Sequence, residues 1–260
     1  MGEWFEEFFD RLYYETYRPF QSEDVNEKEA RFIMEALGLP PGSLLLDLGC
    51  GYGRHAVYLA RWGYNVVCYD LSDYLLERAR ERVEEFGVGD RVVLVKGDMR
   101  MLDYDSVFDG VYMFFTTFGY FSDEENRDVI RRVSRALKSG GVLLIDVWNP
   151  AHVMYNAYLH RGHRTSWFEA GNYIVLEEAY YDIYNGRVNV KRLYLEKSTG
   201  KLIGERSFSI RYYTYWELKS IIEESNLAIE KTYGSYKSEK YEASSPRLII
   251  IARKQRLHNP

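Results

Sequence analysis

Strand-like and helix-like patterns of apolar residues alternate from Leu44 to Trp148. Continuous apolar runs predict strands at 44–48, 65–70, 91–96, 110–115 and 142–148. Helical spacing between most of these runs predicts helices at 54–62, 73–86 and 123–138. Apolar strands that alternate with helices are typical of a parallel sheet covered on both faces. The central part of the chain is therefore predicted to be an α/β unit.

The chain before this unit predicts helices. Apolar residues at three- and four-residue spacing indicate an amphipathic helix over 3–17. A second helix is predicted over 27–37, and it ends before "GLPPG", where the prolines prevent its continuation. We expect residues 1–40 to form an N-terminal helical cap.

The pattern changes after Pro150. From Asn172 the sequence alternates apolar and polar residues, with turn signals at Asn185-Gly186 and Thr199-Gly200, which predicts an antiparallel meander. The segment "TYWELKSIIEESN" then predicts a helix, and strands follow at about 227–234 and 247–253. We therefore expect one α/β core over 41–150 and 213–255, with an antiparallel β insertion at 151–212 that forms a lid, substrate or dimer subdomain.

Composition narrows the classes of function. The chain has 260 residues, 46% of them hydrophobic, and a net charge of −5, which disfavours nucleic acid as a partner. Its two cysteines, Cys50 and Cys68, are too few for a usual zinc site, and a chain with few thiols and no secretory signal is expected to be cytoplasmic. No apolar run reaches the ~18–20 residues of a membrane span, so no membrane contact is expected.

The stretch "LLLDLGCGYGRHAVYLA" places a glycine loop between a strand and a helix. A dinucleotide site has the spacing G-x-G-x-x-G, with the pyrophosphate at the helix N-terminus. Here the glycines are Gly49, Gly51 and Gly53, and Asp47 precedes them. Because a carboxylate there would repel a pyrophosphate, the loop favours a ligand with a cationic group.

Two further acids end neighbouring strands. Asp70 can accept hydrogen bonds from two ribose hydroxyls, and Asp98 can accept one from the exocyclic amine of a purine. In an open α/β sheet these acids and Asp47 would meet at the carboxyl ends of the strands. A ligand with an ammonium group, a ribose and an adenine but no phosphate is S-adenosylmethionine.

The motifs of the chain resemble those of the class I S-adenosylmethionine-dependent methyltransferases. "LLLDLGCGYG" is similar to their first motif, "VVCYDLS" to the second and "VKGDMRML" to the third. "GRH", "FTTFGYF" and the segment from "RYYTYWELKSIIEESNL" to "SSPRLIIIARK" resemble a bacterial and archaeal small-molecule branch whose substrates are often unassigned. The resemblance implies a Rossmann-like seven-stranded sheet of order 3-2-1-4-5-7-6 with the last strand antiparallel.

The resemblance also implies roles for individual residues. Asp47 would lie near the amino group of the cofactor, Gly49 and Gly51 near its methionine part, and Asp70 at the ribose. Asp98 and the backbone at Met99 would contact the adenine. The full set of expected cofactor-binding residues is Asp47, Gly49, Cys50, Gly51, Arg54, Asp70, Leu71, Asp98, Met99, Phe114, Tyr13 and Tyr17.

Residues beside the glycine loop have alternative interpretations. Arg54 could be a solvated residue, could meet the methionine carboxylate, or could order the N-terminal helix. His55 at a helix start favours a neutral, hydrogen-bonding role, because a cation is disfavoured there. Tyr13 and Tyr17 lie four residues apart and could face the pocket from a lid, although packing on the sheet edge explains the same aromatic residues.

The stretch "FTTFGYF" follows the fourth strand and supplies candidate substrate-pocket residues, namely Thr116, Thr117 and Tyr120, with Asn149 as a further candidate. Tyr120 and His152 are candidate catalytic residues. The stretch lacks the Asn/Asp-Pro-Pro-aromatic motif of many enzymes that methylate base amines, which also disfavours nucleic acid. His152, His160 and His163 give one plausible ligand pair without a matched carboxylate, so no metal is expected, and surface histidines are favoured.

The leading hypothesis is a methyltransferase that acts on an N or O nucleophile of a small molecule. An RNA methyltransferase and a catalytically silent S-adenosylmethionine-binding protein are the alternatives. The tyrosine-rich strands of the insertion could serve a pocket or a homodimer interface. Methyl transfer mainly needs alignment and a poorly hydrated site, and a base is required only if the nucleophile must lose a proton. The absence of an evident catalytic dyad is therefore consistent with this chemistry.

Overall fold

The computed structural model of the chain describes residues 3–256. The strands are β1 (Leu44–Leu48), β2 (Asn65–Asp70), β3 (Val92–Lys96), β4 (Phe108–Met113), β5 (Leu137–Trp148), β6 (His163–Ala170), β7 (Tyr173–Asp182), β8 (Arg187–Glu196), β9 (Leu202–Arg211), β10 (Leu227–Tyr233) and β11 (Arg247–Lys254). The helices are α1 (Trp4–Phe8), α2 (Arg11–Tyr17), α3 (Glu23–Leu37), α4 (Ala56–Arg61), α5 (Asp73–Glu85), α6 (Asp123–Ala136), α7 (Pro150–Leu159) and α8 (Tyr215–Glu224).

Seven strands form the larger sheet in the order β3-β2-β1-β4-β5-β11-β10. The first five pair in parallel, whereas β11 pairs antiparallel with both β5 and β10. Counted within this sheet, the order is 3-2-1-4-5-7-6, so the predicted Rossmann-like sheet is confirmed. Leu45, Leu46 and Leu48 of β1 are fully buried, since α-helices cover both faces of the strand.

The other sheet is an antiparallel meander of β6, β7, β8 and β9, which confirms the predicted β-hairpins. Its inner face packs against the N-terminal helices: Phe8 contacts Phe208, with ring centroids 4.8 Å apart, and Leu12 packs with Val175. The meander therefore lies over the same edge of the structure as α1 and α2. Strand β6 was not predicted, because charged and polar residues occupy most of its positions.

Three helical segments differ from the sequence-based expectation. The helix predicted over 3–17 is two helices, because the Asp10 carboxylate caps α2 by accepting from the N–H groups of Leu12 and Tyr13. Residues 150–159 form the unpredicted helix α7, with proline in its first turn. The helix predicted over 54–62 is shorter in the structure, where α4 covers Ala56–Arg61, because turns extend the glycine loop to residue 55.

Within residues 3–256, no helix combines the length and the apolar character that crossing a lipid bilayer requires. Met1 and Gly2 of the predicted cap lie outside the described residues.

Candidate functional site

A cavity opens where β1, β2 and β4 end, under the N-terminal helices. We call it the strand-end cavity; it holds about 870 Å³ of space, open solvent at its mouth included. Predicted site residues that line it are Tyr13, Asp47, Gly49, Cys50, Gly51, Arg54, Asp70, Leu71, Asp98, Met99, Phe114, Thr117 and Tyr120. Lining residues that sequence reasoning did not assign to a site include Phe5, Phe9, Gln21, Tyr52, Tyr69, Leu75 and Phe115.

The glycine loop begins at Gly49, where the backbone has to be close to its neighbours. Gly49 has a φ of +79°, and a Cβ atom there would lie 2.8 Å from Cγ2 of Thr117. The N–H of Gly49 donates to the carbonyl of Tyr69 at 2.8 Å, and the N–H of Gly51 donates to Oδ2 of Asp70 at 2.7 Å. These bonds join the loop to the end of β2, so the backbone of the loop and the Asp70 carboxylate form one wall of the cavity.

Asp47 presents an unsatisfied acceptor to the cavity. Its side chain is buried, and Oδ2 has no hydrogen-bond partner among residues 3–256. Burial raises the pKa of Asp47 to about 7, although the neighbouring Tyr112 hydroxyl and the charge of Arg54 oppose this effect; the charge of Asp70 adds to it. A buried acceptor without a partner costs roughly 1–3 kcal/mol, so this carboxylate suits a ligand that brings a cationic donor.

Arg54 presents an unsatisfied donor to the same cavity. Its Nη1 donates to Oδ1 of Asn26 at 3.0 Å and to the Glu29 carboxylate, whereas its buried Nη2 has no partner in the described part of the chain. The guanidinium lies 5.1 Å from the centre of the Phe115 ring. The cavity is therefore lined by one residue with an unpartnered donor, Arg54, and one with an unpartnered acceptor, Asp47. This pair fits a ligand that has both a carboxylate and an ammonium group.

Glu29 also contacts His55, whose Nε2 lies 3.0 Å from its carboxylate. Burial lowers the pKa of His55 to about 4, and the charge of Arg54 adds to this effect. His55 is therefore neutral near pH 7 and hydrogen-bonded, as predicted. Glu29 and Asn26 come from α3, and sequence reasoning missed both because they lie 25 or more residues before the loop that they support.

Two acids complete the cavity beyond the glycine loop. Asp70 accepts from the N–H groups of Ser72 at 2.9 Å and Gly51 at 2.7 Å, and burial raises its pKa. Asp98 caps a short helical turn and binds Nη2 of Arg100 at 2.6 Å. The Asp98 carboxylate therefore already has an ionic partner that sequence reasoning did not assign to it.

A second cavity adjoins the first, and we call it the aromatic cavity. It lies between the N-terminal helices, the end of β5 and the meander, and its lining residues are Trp4, Phe8, Phe9, Tyr13, Tyr17, Phe115, Thr116, Tyr120, Trp148, Phe208, Ile210 and Arg247. Tyr17 and Thr116, both predicted site residues, line this cavity rather than the strand-end cavity. Phe9, Tyr13, Phe115 and Tyr120 line both, so a ligand in one cavity contacts the walls of the other.

The wall between the cavities contains two residues in the left-handed region. Phe115 and Thr116 have φ values of 62° and 63°, which only a surrounding network can hold in residues that carry side chains. Asp146 supplies this network: its Oδ2 accepts from the N–H of Phe115 at 2.8 Å, and its carbonyl accepts from the N–H of Thr116 at 3.0 Å. Asp146 is fully buried, and it was not predicted as a site residue.

Asn149 is not a substrate-pocket residue. It is fully buried and lines neither cavity. Its Nδ2 donates to the carbonyls of Ser245 at 2.6 Å and Ala243 at 3.0 Å, and its Oδ1 accepts from the N–H of Ala151 and the hydroxyl of Tyr241. The side chain is therefore occupied by capping α7 and by fixing the loop before β11.

His152 is not in a position to act on a ligand of either cavity. It is exposed on α7 and lines neither of them. His160 is also exposed, and His163 pairs with Glu178 on the outer face of the meander at 2.9 Å. Residues 3–256 contain no cluster of three histidine, cysteine, aspartate or glutamate side chains that could hold a metal ion.

The sequence profile of a methyltransferase domain family matches residues 45–141, which run from β1 into β5 and contain the glycine loop and the acids that follow the strands. Over these residues the chain resembles a methyltransferase domain, and the predicted resemblance to the methyltransferase superfamily is confirmed there.

A curated relative matches about half of the chain. A sterol 24-C-methyltransferase from Yarrowia lipolytica is 35% identical over 136 residues, which cover 50% of this chain and 35% of that protein. The chain thus spans about a third of the length of this curated relative.

Two solved structures resemble nearly the whole chain. The CcbJ methyltransferase from Streptomyces caelestis has a TM-score of 0.77 at 23% identity and covers 89% of this chain and 90% of its own. CalS10, an amino pentose methyltransferase from Micromonospora echinaspora with bound S-adenosylmethionine, has a TM-score of 0.65 at 23% identity and covers 94% and 97%. At this identity the likeness shows that the methyltransferase domain and the segments around it share the fold.

Proposed function

We propose that the protein transfers a methyl group from S-adenosylmethionine to an N or O nucleophile of a small molecule. The observation that carries this proposal is the pair of orphaned polar atoms, Oδ2 of Asp47 and Nη2 of Arg54, in one buried cavity. The cofactor would satisfy both, with its ammonium group at Asp47 and its carboxylate at Arg54. Asp70 would hold the ribose, and Asp98 and the backbone at Met99 the adenine.

The bound cofactor would supply an activated methyl group on a sulfonium. The residues of this chain would align the acceptor with that methyl group and exclude water, because aromatic rings of α1 and α2 cover the cavity. Burial raises the pKa of Tyr120 well above its ordinary value, so its hydroxyl stays protonated. We therefore assign Tyr120 to orienting the acceptor by a hydrogen bond or its ring, and not to removing a proton.

The aromatic cavity supports a small molecule as the methyl acceptor. It is enclosed on several sides, and its lining has no cluster of basic residues that could follow a phosphate backbone. The net charge of −5 also disfavours the RNA alternative. Within this proposal, the cap of residues 1–40 and the insertion of residues 151–212 form the lid over a core of 41–150 and 213–255. The cytoplasmic location stays a prediction.

The cofactor assignment predicts that Asp70→Ala weakens binding of S-adenosylmethionine at least 100-fold. The variant removes the acceptor of both ribose hydroxyls and of the Gly51 N–H, which shapes the loop. Asp73→Ala is the matched control, since Asp73 is an exposed acid that pairs with Lys96 just after the same strand. Isothermal titration calorimetry measures both, and full affinity in Asp70→Ala would overturn the assignment.

A transfer assay separates the classes of function. Tritium-labelled S-adenosylmethionine is incubated with the protein and either a metabolite extract or total tRNA and rRNA. We expect label in an extractable metabolite. Label found only in RNA would favour the RNA methyltransferase, and cofactor binding without any transfer would favour the silent binding protein.

We also propose a homodimer through the outer face of the meander. Trp167, Leu176 and Leu193 lie opposite one another on β6, β7 and β8 and form an apolar row, with Trp167 66% exposed. Lys191 and Glu205 flank the row and pair with each other at 2.9 Å, so they leave the apolar row itself as the proposed contact between two copies related by a two-fold axis.

Trp167→Glu should shift the protein from dimer to monomer in sedimentation velocity. The charge would be placed at the centre of the proposed interface. Trp216→Glu is the control, because Trp216 is 72% exposed on α8 and does not belong to the apolar row of Trp167, Leu176 and Leu193. A native protein that is already monomeric at high concentration, or equal behaviour of both variants, would contradict this interface.

A further inference from the structure

Arg247 is the one charged residue that lines the aromatic cavity within residues 3–256. It begins β11 directly opposite Trp148 of β5, so both side chains project from the same face of the sheet. The cavity shares its walls with the strand-end cavity, where the methyl donor is proposed to bind. A molecule in the aromatic cavity would therefore be next to the transferred methyl group.

The guanidinium of Arg247 is held firmly on one side. Its Nε donates to Oδ1 of Asp146 at 2.7 Å, and its Nη2 donates to Oγ1 of Thr116 at 2.8 Å. Burial opposes the charged form, but the Asp146 carboxylate keeps the pKa of Arg247 above its ordinary value. The residue thus remains a cation with a fixed orientation.

The other side of the guanidinium is free for a ligand. Nη1 of Arg247 has no hydrogen-bond partner in the described part of the chain, and the side chain remains 14% exposed. Because the residue lines the aromatic cavity, this donor is available to a molecule bound there. A guanidinium nitrogen prefers an oxygen acceptor in the plane of its fork.

No carboxylate of the cavity is available for a cationic group of the acceptor. Asp146 already accepts from Arg247, from the N–H of Phe115 and from the hydroxyl of Tyr236, the last two at 2.8 Å. Among the residues that line the aromatic cavity, an amine would find aromatic faces and neutral hydroxyl groups, whereas an oxygen anion would find a charged donor. The cavity therefore favours an acceptor that carries an oxygen anion over one that carries an amine.

Charged residues behind the aromatic wall also favour an anionic group on the acceptor. Arg192 donates to the hydroxyl of Tyr17 at 3.0 Å and lies over the Phe208 ring. Its ionic partner Glu177 also pairs with Arg164, so two cations share one carboxylate there. Behind this wall of the aromatic cavity, the charge of one of these two arginines is thus not balanced by Glu177.

We propose that Arg247 binds a carboxylate of the methyl acceptor, whose planar apolar part packs between the aromatic walls of this cavity. The inference rests on the proposed function and names its substrate class: an aromatic or similarly flat carboxylic acid. Thr116 acts as a positioning residue, because its hydroxyl fixes Nη2 and leaves Nη1 for the acceptor.

Binding of three indole probes to the protein, with and without saturating S-adenosylhomocysteine, tests this proposal. Indole-3-acetate carries the carboxylate, indole-3-acetamide a neutral carbonyl, and tryptamine a cationic amine on the same ring. We expect indole-3-acetate to bind at least 10-fold tighter than tryptamine, measured by calorimetry or ligand-observed NMR. The amide is expected to lie between them.

Arg247→Lys is the variant, because it keeps a cation beside Asp146 and loses the planar fork. We expect this variant to weaken the binding of indole-3-acetate at least 10-fold. The affinities for tryptamine and S-adenosylhomocysteine should stay unchanged. Arg253→Lys is the matched control on the same strand, where the arginine pairs with Glu230. Equal binding of the acid and the amine, no binding of the acid, or an equal loss for all probes would overturn the proposal. Failure to bind S-adenosylhomocysteine would instead contradict the proposed function.

Discussion

Replacement of Asp47 by asparagine should weaken S-adenosylmethionine binding at least 100-fold and also raise the melting temperature of the ligand-free protein at pH 8. The two effects have one cause, which is a buried carboxylate with an oxygen that has no partner among residues 3–256. Asparagine is nearly isosteric but uncharged, so it removes both the attraction for an ammonium group and the cost of the buried charge.

The pKa of Asp47 fixes the pH window of the stability effect. Burial raises this pKa from 3.8 to about 7, so between these values the folded protein keeps a proton that the unfolded chain releases. Stability therefore falls as pH rises through this window, by up to roughly 4 kcal/mol at 1.4 kcal/mol per pH unit. The asparagine variant has no such loss, so its advantage should be largest above pH 7 and vanish near pH 4.

Thermal unfolding from pH 4 to pH 8 and calorimetry with S-adenosylmethionine measure the two effects. Asp73→Asn is the control, because it makes the same chemical change at an exposed, paired acid. If Asp47→Asn retains the affinity for the cofactor, the proposed contact with its ammonium group is wrong. If its melting temperature follows that of the native protein at every pH, the raised pKa is wrong.

The fold could be predicted because the patterns that indicate its strands and helices lie within short stretches of the sequence. The first five strands of the larger sheet contain continuous apolar runs, and helical periods separate most of them, so the hydrophobic pattern indicates a parallel sheet. The three acids of the strand-end cavity were found for the same reason. Parallel strands bring their carboxyl ends together, so Asp47 and Asp70 could be placed near each other without any knowledge of side-chain contacts.

The supporting side chains could not be predicted, because their partners are distant in the sequence. Glu29 reaches Arg54 across 25 residues, and Arg247 reaches Asp146 across 101. In the sequence, Asp146 is one acid inside a strand, and nothing around it marks a network. Asn149 was expected in the substrate pocket, because its place just after β5 is typical of a pocket residue. It lines neither cavity, since Pro150 starts a helix that Asn149 caps.

Asp146→Asn should weaken the wall between the two cavities and cost about 3–5 kcal/mol of stability. Arg247 donates to Oδ1, whereas the N–H of Phe115 and the hydroxyl of Tyr236 both donate to Oδ2, so the single oxygen of an asparagine keeps only one of these two sets of contacts. It also leaves the Arg247 cation buried without its counter-charge. If the amide oxygen turns towards Arg247 instead, Phe115 loses the contact that holds it in the left-handed region.

Urea unfolding monitored by circular dichroism measures the stability of Asp146→Asn, with Tyr236→Phe as the matched control. The control removes one of the three donors to the carboxylate and keeps the charge pair, so it should cost only about 1 kcal/mol.

A full return of stability in Asp146→Asn combined with Arg247→Met would show that the unpaired cation, and not the backbone of the wall, carries the cost. Equal losses in Asp146→Asn and Tyr236→Phe would contradict the central role of this carboxylate. In that case the left-handed pair would have to be held by packing between Phe114, which stacks on Tyr236 with ring centroids 4.7 Å apart, and the glycine loop.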